Sequence, residues 1–195
     1  MKDQELVKRL LDEDADAFEL LVKNTEGLVA HIVFKMVAIA EDRKDLVQDI
    51  YFSAYKHIKT FKFQSKLTTW IGSIAYNTCY NYLQKKKVLL IEEKQDEEME
   101  EHGIETLANR MAEESGNEVL NKIFRAELRA ILNTGIRQLP PLYATLITLY
   151  HYQELSYQEI SQITNLPEGT LKSYLFRARK QIKDYVLLNY IKEDL

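Results

Sequence analysis

Between Leu155 and Arg179 the sequence spells two helices separated by a short break, and that punctuation leaves few other arrangements open to it. Ser156 followed by Glu159 has the spacing of a capping box, in which side chains and backbone satisfy each other's hydrogen bonds at a helix start. Ile160 and Ile163 then give that helix an apolar face. Asn165, Leu166 and Pro167 end it, because the residue before a proline is steered out of helical geometry and proline fits the first turn of the next helix. The spacing predicts a second helix from near Glu168. Along it Leu171, Leu175, Ala178 and Ile182 recur on one face and are expected to bury together, turning Lys172, Ser173, Phe176, Arg177 and Lys180 the other way. Residues 170–183 carry five basic side chains and no acid, a footprint that neutralises phosphates while side chains reach base edges. A helix-turn-helix on DNA is the expected reading; an ordinary solvated helix hairpin is the alternative.

The remainder of the 195 residues has room for one or two small domains, of which two is preferred. Six glycines and three prolines offer little of the punctuation that strands need, and most apolar residues recur every three or four positions, so the expected class is all-α. The opening residues lack the apolar stretch of a signal peptide, and no apolar run approaches the roughly 18 residues of a membrane span, which gives a cytoplasmic chain without membrane insertion. Cys79 is the single cysteine, so an internal disulfide or a cysteine zinc cluster is ruled out and it reads as a small buried hydrophobe. No cofactor or metal is expected.

The net charge of −4 is unusual for a protein that holds DNA unaided, and its distribution is the informative part. Residues 50–91 contain no acid and seven lysines, whereas residues 92–114 contain ten acids against Lys94 and Arg110 and few large apolar side chains. The expected organisation is therefore a helical domain at 1–88, an acidic flexible linker at 89–119 and a helix-turn-helix domain at 120–195. The linker reads either as a solvated tether that leaves the two domains separately mobile or as a segment whose carboxylates mimic phosphates.

In the N-terminal domain, Leu46, Ile50, Ser53 and Ala54 fall on one side of a helix and Asp45, Gln48, Asp49 and Phe52 on another. An aromatic ringed by polar groups suits a protein-docking surface, while the plainer alternative packs Phe52 under a neighbouring helix. Residues 61–87 interleave aromatics with lysines, as stacking platforms beside a basic track for unpaired bases do. Trp70, Ile71 and Ile74 share helical spacing and read as core. The loop Phe63, Gln64, Ser65 and Lys66, with Asn77 and Tyr80 on the following helix, is the better candidate for nucleic acid. The terminal lysines can instead be plain compensation of a helix dipole.

The ordered set of motifs resembles the RNA polymerase sigma factors of the extracytoplasmic-function (ECF) type. It is carried by residues 14–21, by the stretch from Asp45 to Tyr51, by residues 63–75 with Asn77, and by residues 155–160 and 166–179; only the acidic segment is unmatched. The resemblance implies that Asp45, Gln48 and Asp49, with Phe52 beside them, dock on the polymerase. It implies that Phe63, Gln64, Ser65, Lys66, Asn77 and Tyr80 meet a melted minus-ten-type element, and that Thr170, Lys172, Ser173, Tyr174, Phe176, Arg177 and Lys180 read a minus-thirty-five-type element. Core RNA polymerase and promoter DNA are then the partners, an anti-sigma protein joins them on family grounds, and the free chain is expected to be monomeric. Tyr76 and Tyr174 depart from the arginines frequent in the family, Asn81 from an aspartate, and Pro140-Pro141 from a single proline, which is expected to alter only a helix start. At Tyr174 this removes arginine's bidentate reach to guanine.

Three other classes are weighed against this one. A plain helix-turn-helix regulator usually dimerises, yet sustained heptads are missing. An all-α metal hydrolase would need paired histidines, whereas His31, His57, His102 and His151 are scattered, and His31 reads as a partly buried helix residue. A pure interaction adaptor has no need of the basic second helix. The chain is expected to be no enzyme.

Overall fold

The computed structural model describes residues 3–90 and 118–190, and every regular element among them is helical. The N-terminal portion consists of α1 (Asp3–Leu11), α2 (Ala15–Met36), α3 (Ala40–His57), a 3-10 turn (Ile58–Thr60) and α4 (Leu67–Leu90). The C-terminal portion consists of α5 (Glu118–Gln138), α6 (Pro141–His151), α7 (Tyr157–Thr164) and α8 (Glu168–Tyr190). The ends of the linker expected at 89–119 are thus helical, closing α4 and opening α5, and residues 91–117 lie outside the described residues.

Helix boundaries follow local chemistry. Asp14 opens α2 by accepting from the backbone N–H groups of Asp16 and Ala17 at 2.9 and 3.3 Å. Pro141 takes the first turn of α6, where a missing N–H loses no intrahelical bond, so the double proline does set a helix start. Asn165 closes α7 with φ 57°, the left-handed conformation that asparagine tolerates better than most side chains. The start of α4 is secured from far away in sequence: the Leu67 N–H donates to the Asp3 carboxylate at 2.8 Å.

In the N-terminal portion α2, α3 and α4 pack on one another around Leu21, Val29, Ile32, Ile50 and Ile71, with Cys79 also fully buried. In the C-terminal portion α5, α6 and α7 pack on α8 around Leu146, Leu149, Ile160, Leu171 and Leu175. The two cores then meet. Helix α2 lies against α6 and α4 against α7, with Ile163 of α7 fully buried. A methyl group on Gly72 of α4 would come within 3.0 Å of the Ile163 side chain and 3.1 Å of Leu28. The absent side chain is therefore what lets α7 approach so closely. This differs from lobes moving separately on a tether, because each portion leaves apolar surface uncovered and the other supplies the nearest cover. No helix among the described residues is long and apolar enough to cross a membrane.

Candidate nucleic-acid interface

The capping box at the start of α7 forms as the sequence requires. The Glu159 N–H donates to Ser156 Oγ at 3.2 Å, and the Ser156 N–H and hydroxyl donate to Glu159 Oε2 at 2.9 and 2.8 Å. On α8, Leu171, Leu175, Ala178 and Ile182 are buried as expected, and this fixes the rotation of the helix. Lys172, Ser173 and Arg177 are exposed, while Thr170, Tyr174, Phe176 and Lys180 are half-buried. Lys172 Nζ rests 5.6 Å from the centre of the Tyr157 ring.

Two side chains of this helix turn inward. Tyr174 packs on Tyr143, ring centres 5.4 Å apart, and lies close enough to Tyr76 of α4 to help raise that phenol's pKa, after burial and Tyr80. Arg179 donates from Nε to His151 Nε2 at 3.3 Å and lies over the Tyr150 ring at 5.3 Å. Burial, and next the Arg179 charge, hold His151 below the ordinary histidine range, which favours its neutral form and leaves Nε2 able to accept.

The loop ahead of α4 is exposed at Phe63, Gln64 and Lys66, with Ser65 half-buried. Phe63 has φ 57°, uncommon for a large side chain, and its ring leans on Phe61 at 4.8 Å, which in turn lies 5.3 Å from Trp70. An aromatic ladder thus runs from the half-buried Trp70 outward to Phe63, which is 46% exposed. Asn77 and Tyr80 are exposed about two and three turns beyond Trp70, with Tyr80 stacked on Tyr76. Ile71 is core as expected, and Ile74 is half-buried against it.

Lys66 is exposed and also carries a contact from the C-terminal portion. Its ammonium donates to Glu159 Oε1 at 2.8 Å, so the carboxylate that closes the capping box with one oxygen holds the loop ahead of α4 with the other. Lys66 first, and the Ser156 N–H next, hold the Glu159 carboxyl down at about 2. A second link joins Gln153, after α6, to His31 Nδ1 of α2 at 2.6 Å. His31 is half-buried as expected, and burial followed by the Lys35 charge lowers its pKa. In the lysine cluster Lys86 bonds Asp42 of α3 at 2.9 Å, beside a hydrogen bond from the Tyr82 hydroxyl to the same oxygen, so part of the basic track is tied inside its own domain.

On α3, Leu46, Ile50 and Ala54 are buried, and Asp45, Gln48 and Asp49 are exposed on the far side. Phe52 is 69% exposed, which excludes the alternative that a neighbouring helix covers it. Cys79 is inert: burial pushes its thiol up to about 12. Among the described residues no three of His, Cys, Asp and Glu gather closely enough to hold a metal ion, and His102 lies outside those residues.

The partners for Lys66 and His31 had no local signal in the sequence, since they come from 93 and 122 positions away. Comparison with known proteins gives the family of each portion. Residues 21–88 match sigma-70 region 2 and residues 129–182 match sigma-70 region 4. The ECF RNA polymerase sigma-E factor of Haemophilus influenzae is 33% identical over 192 residues, covering 95% of this chain and 96% of that protein. The sigma-E factor of Escherichia coli strain K12 is 34% identical over 190 residues, covering 95% of each. In fold the chain is similar to the sigma factor RpoE in complex with the anti-sigma factor NepR from Bartonella quintana, with a TM-score of 0.60, 19% identity, and coverage of 89% of this chain and 98% of that one.

Proposed function

The chain belongs to the ECF sigma factors of RNA polymerase, and on that premise we propose how its separate surfaces divide the work of starting transcription. It is a transcription initiation factor, a class that binds and orients rather than catalyses; the bond-making chemistry stays in the polymerase. The N-terminal domain, about 1–88, docks on core polymerase through Asp45, Gln48, Asp49 and Phe52. It takes up unpaired bases at the loop Phe63, Gln64, Ser65 and Lys66 with Asn77 and Tyr80. The C-terminal domain, about 120–195, lays α8 in the major groove of the upstream element with Thr170, Lys172, Ser173, Tyr174, Phe176, Arg177 and Lys180. Residues 89–119 connect them. The protein works in the cytoplasm, is monomeric when free, and counts an anti-sigma protein among its partners on family grounds.

The orientation of α8 is the observation that carries this reading. Four buried apolar residues fix its rotation, and exposed Arg177 enters no ion pair among the described residues. The need for polymerase follows from energetics. Opening about ten base-pair steps at ~1.4 kcal/mol each costs about 14 kcal/mol. Stacking returns about 1–3 kcal/mol for each captured base, so a few captured bases leave a large deficit for the larger assembly to meet.

Transcription from genomic DNA with sigma-free core tests this reading. Start sites preceded by two spaced shared elements are expected, and silence on every template would sink it. Arg177→Ala in the holoenzyme is expected to weaken promoter binding by about 1–3 kcal/mol with a sequence-dependent loss if Arg177 meets a base; an even loss with a shallower salt slope assigns it to phosphate.

A further inference from the structure

Helix α4 draws its cap from another helix. Lys66 gives its carbonyl to the Trp70 N–H at 3.1 Å and so stands at the cap position, yet a lysine side chain has no acceptor for the orphan backbone donors of the first turn. Ser65, next to it, donates its hydroxyl to the Lys66 carbonyl at 3.3 Å instead. The acceptor comes from Asp3, whose carboxylate takes the Leu67 N–H at 2.8 Å across 64 positions of sequence. By contrast α2 and α7 are capped by Asp14 and Ser156, the residues directly before them.

Asp3 is carried by α1, and α1 reaches the loop ahead of α4 from both ends. Leu6, Val7 and Leu10 bury the helix against its domain, and it packs on the 3-10 turn that leads into Phe61. At the other end Asp3 holds Leu67. Between these two points lie Phe63, Gln64, Ser65 and Lys66, and Phe63 keeps φ 57°, a conformation that persists only where its surroundings over-determine it. The carboxylate stands in an electrostatically awkward place. It lies near enough to Lys66 to help Glu159, the stronger influence, hold that ammonium above the ordinary lysine range. A negative charge there opposes the phosphates of any strand the loop takes up, so what Asp3 contributes to that loop it contributes through shape.

We propose that Asp3 is a positioning residue for promoter opening: by capping α4 from α1 it holds the loop from Phe63 to Lys66 in the shape that receives unpaired bases, and it touches no DNA itself. This rests on the reading of that loop as the minus-ten-type contact. Charge and shape predict opposite signs. Removing the carboxylate strengthens DNA binding if its charge dominates and weakens it if the cap does.

Holoenzyme made from core polymerase and the full chain is titrated with two templates taken from the strongest promoter it starts from. One is a duplex carrying the upstream element alone, and the other extends it with the unpaired non-template strand of the minus-ten-type element. Asp3→Ala is expected to weaken binding of the extended template by about 2- to 30-fold, the range of a lost helix cap, and to leave the plain duplex unchanged. Asp3→Asn keeps an acceptor oxygen and loses the charge, so it is expected to bind the extended template at least as tightly as the parent. In the free chain, amide hydrogen exchange at Leu67 is expected to quicken in Asp3→Ala while Ile71, in the core, holds its rate. Unchanged exchange overturns the cap. Extended-template affinity equal to or above the parent's overturns the positioning, and an equal loss on both templates overturns it too, by assigning Asp3 to general stability. A parent that gains no affinity from the unpaired strand overturns the loop reading and the inference with it, whereas a gain that Asp3→Ala retains in full overturns the inference alone.

Discussion

Helices α3 and α4 are neighbours in one domain, yet the outer face of α3 is open and the corresponding face of α4 is covered. The difference lies in what each face offers. On α3 an aromatic stands among Asp45, Gln48 and Asp49, and burying those carboxylates without cationic partners is unfavourable, so no element among the described residues covers them. On α4 the residue at the centre is Gly72, flanked by buried Ile71 and backed by Leu28, a shallow apolar seat for the Ile163 side chain. Charge density keeps one surface exposed to solvent, and shape with apolarity fills the other from within.

The largest effect that would break this comparison is expected at the covered face. Ile163→Ala removes a fully buried side chain shared by both domains and is expected to lower unfolding stability by about 2–5 kcal/mol in a urea titration. A loss below ~0.5 kcal/mol would mean that the face is solvated in solution. Phe52→Ala sharpens the contrast in the other direction. With the residue 69% exposed, stability is expected to stay within about 0.5 kcal/mol of the parent. Affinity for core polymerase is expected to fall by more than ~1 kcal/mol if Phe52 anchors the docking surface. Unchanged core affinity would remove Phe52 from that surface.

What was legible in the sequence divides along the same line. The capping box, the break at Asn165 to Pro167 and the buried stripe of α8 all formed, because each is written within one or two turns and satisfied by its own neighbours. Periodicity also placed Phe52 on the side of α3 away from Leu46 and Ile50, but it could not say whether another helix covers that side, since cover is a property of distant residues. The junction itself was illegible for the same reason. Leu28, Gly72 and Ile163 come from three remote segments, and nothing near Lys66 announces a carboxylate 93 positions on. Two ion pairs the sequence did not announce follow from the same distant packing: Lys66 with Glu159, and Lys86 with Asp42.

Glu159 is where the local signal and the distant one share a single side chain, and pH separates them. Its carboxyl is held down to about 2 from an ordinary value near 4.5, chiefly by Lys66 and then by the Ser156 N–H. A lowered folded-state pKa contributes stability that is fully present above the unfolded value and is lost as pH falls through the folded one, so the window runs from about pH 5 down to about pH 2. Glu159→Gln keeps the reciprocal capping geometry, which glutamine also supports, and removes the charge. The stability difference between parent and variant is therefore expected to be constant above about pH 5 and to shrink steadily as acid is added. Lys66→Met isolates the interdomain half: because the lysine is 73% exposed, the loss is expected to be small, as for exposed ion pairs, and the smaller capping contribution is expected to keep titrating in a narrower window whose acid edge moves up, since the chief cause of the lowered carboxyl pKa is gone. If Lys66→Met leaves the acid limb unchanged, the carboxylate is held by its own helix alone, and the contact between the domains has to be carried by Ile163 over Gly72.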